Sequence, residues 1–120
     1  MNRIILDTSS ILFALSNKID LFKKVEEQLS YEPVVSAGVI KELSKMAESR
    51  QKNSKYASVA LLLIKRYNVK VENNDDYVDR WILSSAKAFQ NVCTNDIKLK
   101  RQLSSQGVNT YSISRGGSLR

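Results

Sequence analysis

Short apolar runs alternate with longer segments of helical period along this chain. Arg3-Ile-Ile-Leu6 is apolar from Ile4 until it meets the cluster Asp7-Thr-Ser-Ser10. A run of that kind predicts a buried strand ending at a helix start. Comparable runs lie at Pro33-Val-Val35, followed by Ser36 as a helix N-cap, at Val69-Lys-Val71 and at Asn91-Val-Cys-Thr94. A weaker one, Thr110-Tyr-Ser-Ile113, follows the turn residue Gly107. Helical faces fill the intervals: Val39, Ile40, Leu43, Met46 and Ala47; then Ala57, Ala60, Leu61 and Ile64; then Trp81, Ile82, Ser85, Ala86 and Phe89. Strands without alternation are buried on both faces, and helices between them supply the cover. The pattern therefore predicts a three-layer α/β/α domain around a mainly parallel sheet of about five strands. With one proline, four glycines and no repeat, residues 1–114 read as a single domain. Residues 115–120 read as a flexible basic tail that frays.

Composition narrows the chemistry. The 120 residues include one cysteine, Cys93, and no histidine. An intrachain disulfide, a Cys₄ or Cys₂His₂ zinc site, a Ser-His-Asp triad and an HExxH metalloprotease are all excluded. What remains is chemistry by carboxylates, hydroxyls, lysines or bound metal. Cys93, inside an apolar run, reads as a small core residue, and Trp81 as core. The longest apolar run, Val59 to Ile64, has six residues, far short of the roughly 20 needed to cross a bilayer. Asp7 interrupts the opening apolar stretch before it reaches the length of a signal peptide. The expectation is a cytoplasmic protein with no membrane partner.

The net charge of +7 is uneven. Residues 41–70 carry +6 and residues 97–120 carry +5, whereas 1–40 and 71–96 carry −1 and −3. Basic segments around acidic ones suggest a polyanionic partner, nucleic acid first, although solvated helix faces give the same signal.

The acids fall at particular places. Ligands of open parallel sheets bind beyond the carboxyl ends of the strands, where strand order reverses. Asp7 follows the first strand directly, and Asp96 lies two residues past Thr94 at the end of the fourth. If those strands are neighbours, both carboxylates face one cleft. Glu42 sits about 100° around its helix from the apolar stripe, at its border. Asp79 lies in the first turn of its helix, also beside an apolar stripe. Each has a plainer reading: Asp7 and Asp96 as helix caps, Glu42 as an i,i+3 partner of Lys45, Asp79 as a complement to the helix dipole. Four acids converging would repel one another and favour a divalent cation, with oxygen donors suiting Mg²⁺ or Mn²⁺ over zinc.

These segments, in this order, resemble the PIN-domain nucleases over nearly the whole chain. Ile-Ile-Leu-Asp7-Thr-Ser resembles the family's first motif and Val39-Ile-Lys-Glu42-Leu its second. Val78-Asp79-Arg-Trp-Ile-Leu-Ser-Ser-Ala86 resembles the third, and Val92-Cys-Thr-Asn-Asp96-Ile-Lys-Leu the fourth. The resemblance implies a PIN-like α/β/α fold and a metal-dependent endoribonuclease. Asp7, Glu42, Asp79 and Asp96 would be its catalytic and metal-holding quartet, with Mg²⁺ or Mn²⁺ as cofactor and RNA as partner. The family's polar companions fall here on Ser9 and Thr94. Asp75 and Asp76 read as a helix start, with the alternative that one of them replaces Asp79. Lys98 and Arg101, three apart on the helix opened by Asp96, are candidates for gripping substrate phosphates. Lys41, Lys45, Arg50, Lys52 and Lys55 are candidates for extending that track, and the five tyrosines for stacking on bases.

Two branches of the family fit this size. Lys-Glu-Leu-Ser-Lys, Thr-Asn-Asp-Ile-Lys-Leu-Lys-Arg and the Tyr111, Ile113, Arg115 ending look closer to small archaeal relatives of the nucleases that process ribosomal RNA. A pre-ribosomal particle would then be the partner. The other branch comprises toxins of toxin–antitoxin pairs, whose partner is an antitoxin protein. Family members often pair, so a homodimer is a further expectation. A dehalogenase-type phosphatase wants Asp-x-Asp after its first strand, but position 9 is serine. A receiver domain wants a phosphoacceptor aspartate after the third strand, where Glu72-Asn73-Asn74 stands. From another class, a catalytically silent RNA-binding or ribosome-assembly module would keep the fold, typically with quartet members lost.

Overall fold

The computed structural model describes residues 2–74 and 77–120. Its strands are β1 (Arg3–Leu6), β2 (Glu32–Ser36), β3 (Lys70–Glu72), β4 (Asn91–Cys93) and β5 (Asn109–Tyr111). They form one sheet in the order β3-β2-β1-β4-β5, with every neighbouring pair parallel. The chain builds outward from β1 to one edge, then crosses back to β1 and builds to the other. Strand order therefore reverses between β1 and β4, where Ile5 pairs with Val92 and Leu6 with Cys93.

Successive residues of a strand point to opposite faces, and Ile4, Ile5 and Leu6 are all fully buried. Both faces of the central strand are covered, which is the three-layer arrangement expected from the unalternated run. The cover comes from α1 (Thr8–Ser16), α2 (Leu21–Leu29), α3 (Ala37–Glu48), α4 (Ser54–Arg66), α5 (Val78–Phe89) and α6 (Ile97–Ser105). α3 and α4 pack together and against α1, while α5 packs with α6 and against β1 and β4. Their buried positions include Leu43, Ala57, Ala60, Ile82, Ala86 and Leu103, each essentially without solvent contact, with Ala57 and Ala60 on the α4 layer that packs on α3 and α1. Trp81 is half-buried and tilts against Phe89, with ring centres 6.1 Å apart.

Local chemistry explains where the helices start. Asp7, Asp20, Ser36 and Asp96 each accept a backbone N–H from the first turn of the helix that follows, which satisfies an otherwise orphaned donor. Three of these starts lie at the carboxyl ends of β1, β2 and β4, so three helix N-termini gather at one end of the sheet.

The C-terminal segment differs from the frayed tail expected of residues 115–120. Ile113 and Leu119 form an antiparallel bridge, and Gln28 both donates to the Leu119 carbonyl and accepts from its N–H, at 3.2 Å each. Lys100 reaches the Arg120 carbonyl at 3.4 Å, and Leu119 is buried. The reversal runs through Gly117 at φ +91°, a conformation open to glycine. Among the described residues, no helix is long and apolar enough to cross a membrane.

Candidate active site

The reversal point between β1 and β4 opens into a cleft of about 530 Å³ whose walls include Asp7, Ser9, Glu42, Asp79 and Asp96. Four acids separated by up to 89 positions in the chain reach it because Asp7, Asp79 and Asp96 sit at helix starts and Glu42 lies midway along α3, whose start is at this end of the sheet. Leu12, Phe13, Met46 and Val78 supply an apolar lining, and Thr8, Ser16 and Asn53 add polar groups.

Asp7 is the buried acid of the set, at 3% exposure. Its Oδ1 accepts the Ser10 N–H at 2.9 Å, and its Oδ2 accepts the Ser9 hydroxyl at 3.1 Å and the Thr94 hydroxyl. The helix-cap reading and the site reading of Asp7 thus hold together: one oxygen caps α1 and the other faces the polar cluster. Thr94, itself fully buried, also accepts the Asp96 N–H at 3.1 Å. A single hydroxyl therefore ties the end of β1 to the start of α6. Asp96 caps α6 through Oδ1, to the Leu99 N–H at 3.1 Å, and its side chain is exposed.

Glu42 projects from α3 beside fully buried Leu43, and its Oε1 accepts the Thr8 hydroxyl at 2.9 Å. That bond links α3 to α1 across the cleft. Asp79, exposed in the first turn of α5, is carried by buried Val78. Partial loss of water around its carboxyl, together with the negative charges of Asp7 and Asp96, raises its pKa above the ordinary value. Cys93 lies behind the cleft. Burial, with Asp7 nearby, pushes its thiol up to about 12, so at neutral pH it is an inert thiol.

Ser9 lines the cleft and Thr94 lies behind Asp7, where each hydrogen-bonds that carboxylate. Lys98 and Arg101 are exposed on α6 and are not among the cleft's walls. Their neighbour Lys100 turns toward the C-terminal segment, where it donates to Ser112 Oγ at 2.8 Å. Asp75 and Asp76 lie outside the described residues. The residue that sequence reasoning passed over is Thr8. Its signal was a hydroxyl between two site positions, but nothing in the chain says that it would meet a glutamate 34 residues away.

The donor set is all oxygen, which suits a hard divalent cation. The raised pKa of Asp79 comes first from partial burial and then from the charges of Asp7 and Asp96, and a cation in the cleft would offset that second part. Among the described residues, no three acidic or cysteine side chains are gathered tightly enough to hold an ion. The four acids share a cleft without sharing a coordination sphere, and the exposed Glu42, Asp79 and Asp96 side chains are those with room to swing inward.

An acid-lined cleft at the switch point of a five-stranded parallel sheet places the molecule among open α/β domains with their site beyond the strands' carboxyl ends. The family model of the PIN like domain matches residues 4–115, so the chain belongs to the PIN-like domain family. It is similar to the solved PIN domain endonuclease Utp24, at 27% identity and a TM-score of 0.73, over 93% of this chain and 85% of that one. It also shares the fold of a domain of a functionally unknown protein from Methanocaldococcus jannaschii DSM 2661. There the TM-score is 0.66 at 16% identity, over 95% of this chain and 92% of that one. No curated protein matches the chain.

Proposed function

We propose that this chain is a divalent-metal-dependent endoribonuclease that hydrolyses RNA phosphodiester bonds in RNA maturation, ribosomal RNA being the favoured substrate class. One observation carries the reading: Asp7, Glu42, Asp79 and Asp96 line one cleft at the sheet's switch point. Membership of the PIN-like family and likeness to a PIN domain endonuclease support it. Mg²⁺ or Mn²⁺, when bound, would activate water and neutralise charge on the scissile phosphate and the leaving oxygen.

The residues of the chain divide the remaining work. Asp7, fixed by three hydrogen bonds, presents a carboxylate whose position does not depend on the ligand. Thr94 holds the starts of α1 and α6 in register, so Asp7 and Asp96 keep a constant relation. Thr8 steadies Glu42 at the opposite wall. Asp79, with its raised pKa, is where a proton is retained at higher pH than an ordinary aspartate allows. The cleft's own negative charge repels bare phosphate, so the RNA backbone enters with a counter-ion while the basic segments beyond attract it.

Cleavage of structured and single-stranded RNA in Mn²⁺ or Mg²⁺, with and without excess chelator, tests the reading against the Asp7→Asn variant. Cutting by the wild type, lost both in chelator and in the variant by at least about a hundredfold, is the expected result. Cutting that persists in the purified variant sinks it. Tight RNA binding with no cutting in either metal would replace it with the silent module.

A further inference from the structure

Asn95 separates Thr94 from Asp96 in the turn between β4 and α6, and its half-buried side chain is not among the cleft's walls. Both of its polar atoms go to one residue of the C-terminal segment. Its Oδ1 accepts the Ile113 N–H at 2.9 Å, and its Nδ2 donates to the Ile113 carbonyl at 3.0 Å. A primary amide offers an acceptor and a donor side by side, as a neighbouring strand does. The two bonds therefore extend the pairing of β4 with β5 by one side chain. The last backbone rung, from the Thr94 N–H to the Tyr111 carbonyl at 2.9 Å, lies immediately before them. Ser112 Oγ adds a bond to the Thr94 carbonyl at 3.0 Å and accepts one from Lys100 at 2.8 Å.

Ile113 is itself fixed. It is 2% exposed and stands opposite Leu119 in a hairpin. The Arg120 N–H donates to the Ser112 carbonyl and the Ser114 N–H to the Ser118 carbonyl, both at 2.9 Å. In an antiparallel ladder, a residue pair between two such rungs turns its own N–H and C=O outward. Asn95 takes both outward groups of Ile113. Leu119 in turn is tied to Gln28 of α2. The consequence reaches the cleft through Asp96, whose N–H donates to Thr94 Oγ1 and whose Oδ1 accepts from Leu99. The place of that carboxylate depends on where the backbone of 94–97 sits. Thr94 holds this backbone from the side of Asp7, and Asn95 holds it from the side of Ile113.

We propose that Asn95 is a positioning residue for Asp96, and that the segment 112–119 is the brace it bears on. The inference rests on the nuclease reading for what Asp96 does, and on the hydrogen bonds alone for whether Asp96 is held. Partners that orient a metal-holding side chain typically change affinity or activity by roughly ten- to a hundredfold when removed.

Amide hydrogen exchange, followed by NMR in the chelator-treated full chain, reads the clamp. Calorimetric titration with Mn²⁺ reads its effect on the cleft. The Leu99 amide is the reporter, because its bond goes to the Asp96 carboxylate. Rates are taken relative to the amides of β1, so that a uniform loss of stability cancels. Asn95→Ala speeds exchange at Ile113, Asp96 and Leu99 and weakens Mn²⁺ binding about tenfold. Leu119→Ala, which leaves the cleft's walls untouched, moves both readouts in the same direction by a smaller factor. If thermal melts show that Asn95→Ala does not fold, Leu119→Ala carries the test alone. Faster exchange confined to Ile113, with Leu99 and Mn²⁺ affinity unchanged within about twofold, would reduce Asn95 to a fastener of the tail and overturn the proposal. Metal-dependent cutting by the wild type beside an unmoved Leu99 would keep the nuclease reading and remove the clamp. A wild type that neither binds Mn²⁺ nor cuts RNA would remove the nuclease reading, and exchange at Leu99 would still decide for or against the clamp.

Discussion

Asp79 carries opposite consequences for stability and for function. Its carboxyl is less hydrated than in the unfolded chain and faces the charges of Asp7 and Asp96, so its pKa in the folded protein is raised. A raised aspartate favours the folded state while protonated in both states, below about pH 3.8. That contribution is lost as pH rises through the folded pKa, because the unfolded chain gives up the proton first. In the metal-free protein, Asp79 is therefore a destabilising charge at neutral pH. The side chain is exposed, so solvent keeps the effect small. Thermal melts of wild type and Asp79→Asn, taken across the acid to neutral range in chelator, isolate it as a difference between the two curves. The variant gains on the wild type as pH rises, while losing cleavage at pH 7. A difference that stays constant with pH would mean that the carboxylate cluster does not act on Asp79.

At the scale of elements, the caps and the site are one construction. Asp7 terminates β1, caps α1 and faces the cleft, so substitutions separate the duties. Asparagine caps a helix about as well as aspartate, whereas alanine forgoes roughly 1 kcal/mol of capping and leaves buried donors without a partner. Urea denaturation of Asp7→Asn falls within about 1 kcal/mol of wild type, and Asp7→Ala loses about 2–3 kcal/mol. Both lose activity. Equal stability of the two variants would show that the cap contributes nothing. The same coupling explains what was legible in the chain. Strands β1, β2 and β4 announced themselves because burial on both faces leaves no polar alternation, and their ends announced themselves through Asp7, Ser36 and Asp96. The helix α2 carried a signal too, with Leu21, Phe22, Val25 and Leu29 at helical spacing behind the cap Asp20, but no strand run precedes it to frame that segment and it was passed over. The docked C-terminal segment was illegible for another reason: Leu119 and Gln28 are 91 positions apart, and only the fold brings them together.

At the scale of the whole molecule, the crossover that places β4 beside β1 converts four distant acids into one cleft within a chain of net charge +7. Neighbourhood of those two strands was the condition on which the sequence reading depended, and it is a property of topology that no local pattern encodes. Its energetic consequence is measurable without RNA. Carboxylates gathered by folding are dispersed in the unfolded chain, so an ion that bridges them binds the folded state in preference. At an ion concentration 100 times its Kd, the linkage is worth about 2.7 kcal/mol, or roughly 10 °C in melting temperature for a domain of this size. Because the acids of the described residues are not already drawn into a coordination sphere, part of the binding energy goes into moving Glu42, Asp79 and Asp96 inward, which raises the Kd and so the ion concentration at which the shift sets in. Scanning calorimetry of the chelator-treated protein, then of the same protein titrated with Mn²⁺, gives the comparison. The melting temperature of the wild type climbs with the logarithm of Mn²⁺ concentration above Kd, and the climb is abolished or strongly reduced in Asp7→Asn, whose cap and fold are otherwise kept. A shift of equal size in the variant would place the ion elsewhere on the molecule and detach the acidic cleft from metal binding.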